Sequence, residues 1–283
     1  MIISEVEGFP RIAVLMTCFN RRQTTLRCLA FLSELPEKVE VFLVDDRSSD
    51  GTADAVRQEF SAVHLIAGSG DLFWNRGMCL AWKTALPGDF DFYLLLNDDV
   101  KLYPDAIRDL LADSMETGHK AILSGAMKSP DSDAATYGGI SIATGRLAQP
   151  DGTLQKIRNL NGNFVLVPRD VVQKIGIFDP CYHHHFGDVD YGMTAQERGI
   201  DVLLAKRYAG ECAPNPIVRI RRDGVSLKRR FQILHSPLGT APASVFRLFR
   251  KHGNPLKGIF FILYLYGINL MPDRLYHRIA KKK

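Results

Sequence analysis

Short apolar runs alternate with amphipathic stretches through the first third of the chain. Residues 12–16, 39–44, 63–66 and 92–96 are apolar nearly throughout, the pattern of strands buried on both faces. Between them, 23–35, 53–60 and a stretch through Met78, Trp82 and Leu86 carry helical spacing, with Ser49 or Asp50 placed to cap the second helix. This alternation predicts an α/β fold: a Rossmann-like, mostly parallel central sheet flanked by helices. Pro104 then opens a helix through Ile107, Leu110, Leu111 and Met115, and residues 121–123 resume a strand. Residues 127–158, with Gly138, Gly139, Gly145 and Gly152, read as hairpins and loops that decorate the sheet. A strand at 164–167, a short helix from Pro168, a loop at 179–187, a helix at 189–198 and a small strand at 202–204 follow. From Leu227 the pattern becomes that of a helical extension.

The central strand ends abruptly in Asn97, Asp98 and Asp99. In an open α/β sheet ligands bind beyond the carboxyl ends of the strands, so three polar exits should converge: 17–21, 45–52 and 97–99. None contains a GxGxxG dinucleotide fingerprint or a GxxxxGK[ST] phosphate loop. Carboxylates take their place. Asp46 is a candidate for holding a nucleoside, and Asp98 or Asp99 for carrying a divalent cation on a diphosphate. Oxygen ligands suit Mg²⁺ or Mn²⁺ better than zinc. An acidic turn capping the next helix is the competing reading of the same residues.

Composition narrows the picture. A chain of 283 residues, 46% hydrophobic, can build a substantial core. Its five cysteines show no CxxC pair, which argues against a disulfide framework or a zinc knuckle and fits reducing surroundings. Glu5 and Glu7 precede the first strand where a secretory leader would need a basic segment and an apolar run, so a cytoplasmic location is expected. The net charge of +5 is unevenly placed: 15 of the 36 Lys and Arg follow position 218, against only Asp223 and Asp273 of the 31 acids. The nearly apolar stretch 258–271 lies among these cations and is shorter than a bilayer span. It suits peripheral contact with an anionic membrane face, or else packing on the protein or a homodimer contact. The domain expectation is a catalytic unit at 1–226, with a nucleotide-binding half at about 1–100 and an acceptor-binding half at about 101–226, followed by a tail at 227–283.

Four ordered blocks resemble the inverting family 2 glycosyltransferases of the GT-A fold. They are Thr17-Cys18-Phe19-Asn20-Arg21; Val44 through Thr52; Leu96-Asn97-Asp98-Asp99-Val100; and Phe186-Gly187-Asp188-Val189-Asp190-Tyr191-Gly192 running on to Gly199. The segment Trp74-Asn75-Arg76-Gly77-Met78 is similar to the rhamnosyltransferase-like branch. The resemblance implies that Thr17, Phe19 and Asp46 line a nucleotide pocket, with Arg21 and Asp71 beside them. It further implies that Asp99 carries the cation and that Asp98 assists through water or sugar hydroxyls. Gly162 and Asn163 would lie near the donor sugar. The later block usually holds a Glu-Asp pair whose aspartate is the base; this chain has Gly187-Asp188, which leaves Asp188 as the matching base. A histidine after the core completes the cation site in some GT-A enzymes, making His235 a candidate ligand against a plain surface histidine. Trp74 and Asn75 could contact the donor or start a helix packed in the core. Asp190 could orient the helix or the acceptor, or serve as a cap or a partner for Arg198. His183, His184 and His185 suit an acceptor loop or a structural role better than a zinc site.

The implied activity is transfer of a sugar from a UDP- or dTDP-sugar to a hydroxyl of a surface-glycan acceptor, free or lipid-linked. A base takes the hydroxyl proton and the cation neutralises the leaving diphosphate. Arg221, Arg222, Lys228, Arg229 and Arg230 could close over the diphosphate or meet an anionic acceptor. Two other classes compete. A nucleotidyltransferase could use the same sheet and acids but would release pyrophosphate. A non-catalytic carbohydrate- or nucleic-acid-binding protein could exploit the basic tail, although acids at the strand exits repel nucleic acid phosphates, so no nucleic acid partner is expected.

Overall fold

The computed structural model describes residues 9–214 and 220–280. One mixed sheet organises it. Strands β1 (Ile12–Cys18), β2 (Val39–Asp45), β3 (His64–Ala67) and β4 (Phe92–Leu96) alternate with helices α1 (Arg22–Glu34), α2 (Thr52–Glu59) and α3 (Phe73–Ala85). Neighbours in the order β3-β2-β1-β4 are all parallel, as the alternating pattern predicts. After β5 (Lys101–Leu102) and α4 (Ala106–Glu116) come β6 (Ile122–Lys128), β7 (Ala135–Tyr137), β8 (Gly139–Ser141) and β9 (Gln155–Leu160). The glycine-rich segment therefore forms short antiparallel decorations. Strand β10 (Phe164–Pro168) leads into α5 (Arg169–Ile175) and, after a loop, α6 (Gly187–Glu197) and β11 (Val202–Glu211). The sheet then continues β4-β10-β6-β11-β9-β8.

β10 is antiparallel to β4, with Phe164 opposite Leu96. This reversal brings the turn before β10 to the edge where β4 ends, and the Asn97 N–H donates to the Asn163 carbonyl at 3.0 Å. β6 and β11 run parallel to one another and finish at that edge too.

Alternation along the strands divides the core into two layers. Ile12, Val14 and Met16 join Leu94, Leu96 and the α1 residues Leu29 and Leu32 on one face. Ala13 and Leu15 join Tyr93, Leu95, Met78 and Trp82 on the other. Trp82 and Phe90 on this second face are fully buried.

The extension comprises α7 (Leu227–His235), α8 (Pro242–His252), α9 (Pro255–Leu270) and α10 (Asp273–Ala280). Its own core is small: Leu234, Val245, Leu265 and Ile268 are buried, with Phe186 from the α6 start packed against them. None of the described helices is long and apolar enough to cross a membrane.

Candidate active site

The exits of β1 and β2 are stitched to one another. The Asn20 side chain accepts from the Ser49 N–H at 2.7 Å, Ser48 Oγ accepts from the Asn20 N–H at 2.9 Å, and Asp50 accepts from the Arg22 N–H at 3.0 Å. Asp50 thus braces the start of α1 and also accepts the Thr52 N–H at 3.1 Å, the first of α2, whose N-cap position is Gly51.

Arg21 reaches from β1 to the acidic tip of β4. Its guanidinium donates to Asp98 Oδ1 at 2.7 Å and to Asp99 Oδ2 at 2.9 Å. The other Asp98 oxygen accepts from the Thr25 hydroxyl at 2.9 Å, so both oxygens of this buried carboxylate are engaged. Burial pushes its titration above the ordinary carboxylate value, against the opposing pull of Arg21 and Thr25. Asp99 is more open, and its Oδ1 faces the Cys212 thiol at 4.0 Å. That thiol, pushed up to about 12 by burial and then by the Asp99 charge, stays protonated at neutral pH.

Asp188 sits in the first turn of α6, which begins two residues earlier than the periodicity suggests. A carboxylate is favoured at this positive end of a helix. Its Oδ1 accepts from the Val189 N–H at 2.8 Å and its Oδ2 from the Gly162 N–H at 3.1 Å. The N-cap, Phe186, has φ of 73°, a left-handed conformation uncommon for a bulky residue.

Two glycines permit close approaches around this helix. A Cβ on Gly162 would lie 2.2 Å from the Trp74 ring, whose Nε1 donates to Asn97 Oδ1 at 2.7 Å. A Cβ on Gly187 would lie 1.6 Å from Asn75 Oδ1. Asn75 is fully buried and donates to the carbonyls of Asp179 and Tyr182 at 2.9 and 2.8 Å. The absence of a side chain at Gly187 therefore leaves room for Asn75 beside it.

A cleft of about 430 Å³ gathers Thr17, Arg21, Trp74, Asp98, Asp99, Gly162, Asn163 and Asp188. The other candidates lie elsewhere. Phe19 is exposed at the β1 exit. Asp46 is buried and accepts backbone N–H groups of Gly70, Leu72 and Phe73 at 2.8, 2.9 and 3.1 Å, which shapes the turn before α3. Asp71 accepts from the Ser69 hydroxyl in that turn. Asn75 is packed beneath the loop before α6. His235 lines a neighbouring cavity, its Nε2 paired with the Tyr266 hydroxyl at 2.9 Å. Among the described residues no group of three His, Cys, Asp or Glu could hold a metal ion by itself.

Asp190 does not pair with Arg198. It is buried against the extension, bound by Lys251 at 2.7 Å, His252 at 2.9 Å and the Tyr182 hydroxyl at 3.1 Å. Arg221 and Arg230 converge on Asp273 and the end of α9, so they brace the extension instead of closing over the cleft. Tyr137, Leu238 and Thr240 also line the cleft, brought there from the decorated segment and from beyond α7. Nothing local marks them, because each arrives through a long-range fold-back.

Several solved structures share this fold. S. aureus TarS superposes with a TM-score of 0.55 at 17% identity, over 79% of this chain and 42% of that one. The mannosyltransferase PcManGT from Pyrobaculum calidifontis, solved with GDP-Man and Mn²⁺, gives 0.55 at 16% identity over 96% and 83% of the two chains. GalNAc-T7, solved with UDP, GalNAc and Mn²⁺, gives 0.55 at 12% over 81% and 48%. At these identities the likeness is one of fold, and the chain spans less than half the length of that TarS chain. No curated protein sequence matches it. The model of the family described as glycosyl transferase family 2 matches residues 13–176, more than half of the chain, and the protein belongs to that family.

Proposed function

We propose that this protein is an inverting transferase that moves one sugar from a nucleotide-sugar to a hydroxyl of a surface-glycan acceptor. The observation that carries the reading is the shared cleft: Asp99 from the β4 exit and Asp188 from the α6 start line the same space. Asp188 acts as general base on the acceptor hydroxyl, and the Gly162 N–H holds its carboxylate in place. Trp74 and Asn163 border the donor sugar, and Thr17 the nucleotide. Residues 1–226 form the catalytic unit and 227–283 the extension.

A hard divalent cation, Mg²⁺ or Mn²⁺, fits Asp99. One of its oxygens binds Arg21 and the other, among the described residues, meets a weak thiol donor, which suits an ion that takes one or two carboxylates and fills the rest of its shell with substrate phosphates and water. When bound, the ion would supply charge neutralisation for the departing diphosphate. UDP- and dTDP-sugars are the donors to test first, and the Trp74–Met78 segment makes dTDP-rhamnose one of them.

A donor screen with Mg²⁺ or Mn²⁺ should release free nucleoside diphosphate; pyrophosphate would instead mark a nucleotidyltransferase. Asp188→Asn should keep donor affinity while transfer falls by about 10²- to 10⁴-fold. Asp99→Ala should weaken donor binding itself. Normal transfer by Asp188→Asn would overturn the assignment of the base.

The extension provides peripheral contact with an anionic bilayer surface. Leu256, Ile259, Phe260, Leu263, Tyr264 and Leu270 are exposed along α9 at helical spacing. Lys257, Arg274 and Arg278 lie within or just after it, and a second copy would bring like charges together where anionic lipid neutralises them. The chain should sediment with phosphatidylglycerol-containing vesicles and lose this in Phe260→Glu/Leu263→Glu. Equal recovery of both proteins in the soluble fraction, or a dimer lost in that variant, would refute it.

A further inference from the structure

Beside the acidic cleft lies a second cavity of about 480 Å³ with the opposite character. Four imidazoles and two guanidinium groups line it: His183, His184, His185, His235, Arg247 and Arg250. No carboxylate is among its described lining residues. His184 and His185 border both spaces, so the cavity adjoins the cleft that Asp188 lines.

These groups are not equally committed. Arg247 is paired with Asp179 at 2.8 Å. Arg250 is exposed and has no ion-pair partner among the described residues. His185 Nε2 lies 3.0 Å from the Leu238 carbonyl, which fixes that ring across the boundary between the two spaces. Ser244, in the first turn of α8, adds a hydroxyl to the wall, and the Ala241 N-cap gives that helix no side-chain cap.

We propose that this cavity is an acceptor subsite for an anionic group, a phosphate or carboxylate carried by the acceptor glycan, with Arg250 as its ion-pairing residue. The assignment rests on the transferase reading above and names the class of acceptor for the same site. The physical reason is the contrast between the two spaces. An anion near Asp98, Asp99 and Asp188 is repelled unless a cation intervenes, whereas Arg250 attracts one directly and imidazole N–H groups can donate to it. A charged group held there leaves the remainder of the acceptor to reach past His184 and His185, with a hydroxyl at Asp188. The volume lies within the range of small-molecule sites and accommodates a substituted sugar.

Histidine ring resonances report on the site without turnover. Titration with glucose 6-phosphate or glucuronate should move the signals of the four lining histidines. His64, stacked on Phe42, and His119, packed against Phe92, should stay still. Glucose should produce much weaker shifts. Arg250→Gln should lower affinity for glucose 6-phosphate by about tenfold or more, and Arg250→Lys should retain most of it. UDP affinity should be the same in all three proteins, which also shows that the variants are folded. Equal response to glucose and glucose 6-phosphate, or equal affinity in Arg250→Gln, would overturn the proposal. So would inorganic phosphate binding as tightly as the sugar phosphate, since the cavity would then hold a free ion. Loss of all nucleotide binding with anion binding intact would instead count against the transferase reading alone.

Discussion

The sheet and the helical extension are held together by different forces. The sheet buries long apolar strands on both faces, and β1 is specified by burial without one charged partner in its interior. The described extension has five buried aliphatic residues of its own and docks through polar and charged contacts: Arg247 on Asp179, Lys251 on Asp190, and the His252 ring between Asp190 and Glu197. Asp190 lies one half-turn beyond Asp188 on α6, and Asp179 lies in the loop that leads to it. Charge pairing is therefore concentrated where the proposed base is positioned. Apolar burial tolerates small adjustments, whereas a buried carboxylate shared by several donors depends on each of them.

The comparison breaks most sharply at Asp190. Asp190→Ala would leave the buried His252 ring and Tyr182 hydroxyl without their acceptor and the exposed Lys251 without its partner, and should cost about 2–4 kcal/mol in urea denaturation. Asp54→Ala, which removes an exposed pair with Arg57, should change stability by less than about 0.5 kcal/mol. Similar losses for the two variants would mean that the charges hold the extension no more firmly than ordinary surface pairs do.

A smaller effect tests whether packing also constrains this helix start. Gly187→Ala should cost about 1–3 kcal/mol, because Asn75 is fully buried, anchored by two carbonyls and has no room to retreat. The penalty should shrink in an Asn75→Ala background. An unchanged penalty in that double variant would separate the two residues energetically.

These particulars explain what was legible in the sequence. The parallel half of the sheet could be read because apolar runs and helical spacing are local signals, and the exits of β1 and β4 carry their polar residues in consecutive positions. The strand at 164–167 was equally legible, but its direction was not: an apolar run has no polarity, and only the pairing of Phe164 with Leu96 shows the reversal. Two of the partners of Asp190, Lys251 and His252, lie some 60 residues away in a helix that reads simply as basic and amphipathic. Asp46 shows the same limit at closer range. A carboxylate after a strand suits a ligand in sequence terms, yet in the fold three backbone N–H groups of the next turn engage it. Leu238 and Thr240 reach the cleft only because the chain folds back after α7. Residue type and spacing reveal chemistry, while the partners that use it up depend on tertiary contact.

The smallest effect concerns the pH at which the extension lets go. Burial would raise the Asp179 carboxyl, but hydrogen bonds from Arg247 and from the Cys181 N–H outweigh it and hold its titration below the ordinary value. A carboxylate depressed in the folded state contributes its stability fully above the unfolded value of about 3.9 and loses it as pH falls through the lower, folded value. Below both, the carboxyl is neutral in either state and Arg247 gains nothing from it. The pair is partly exposed, so solvent screening limits its contribution to at most about 1 kcal/mol. Amide exchange in α8 should therefore accelerate more in the parent than in Asp179→Asn as pH is lowered from 6 toward 3, once intrinsic exchange rates are divided out. The variant should begin from weaker protection and converge with the parent at the acid end. Parallel curves across the whole range would show that Arg247 docks α8 through its contact with the Tyr182 ring, 6.0 Å from the guanidinium, and not through the charge of Asp179.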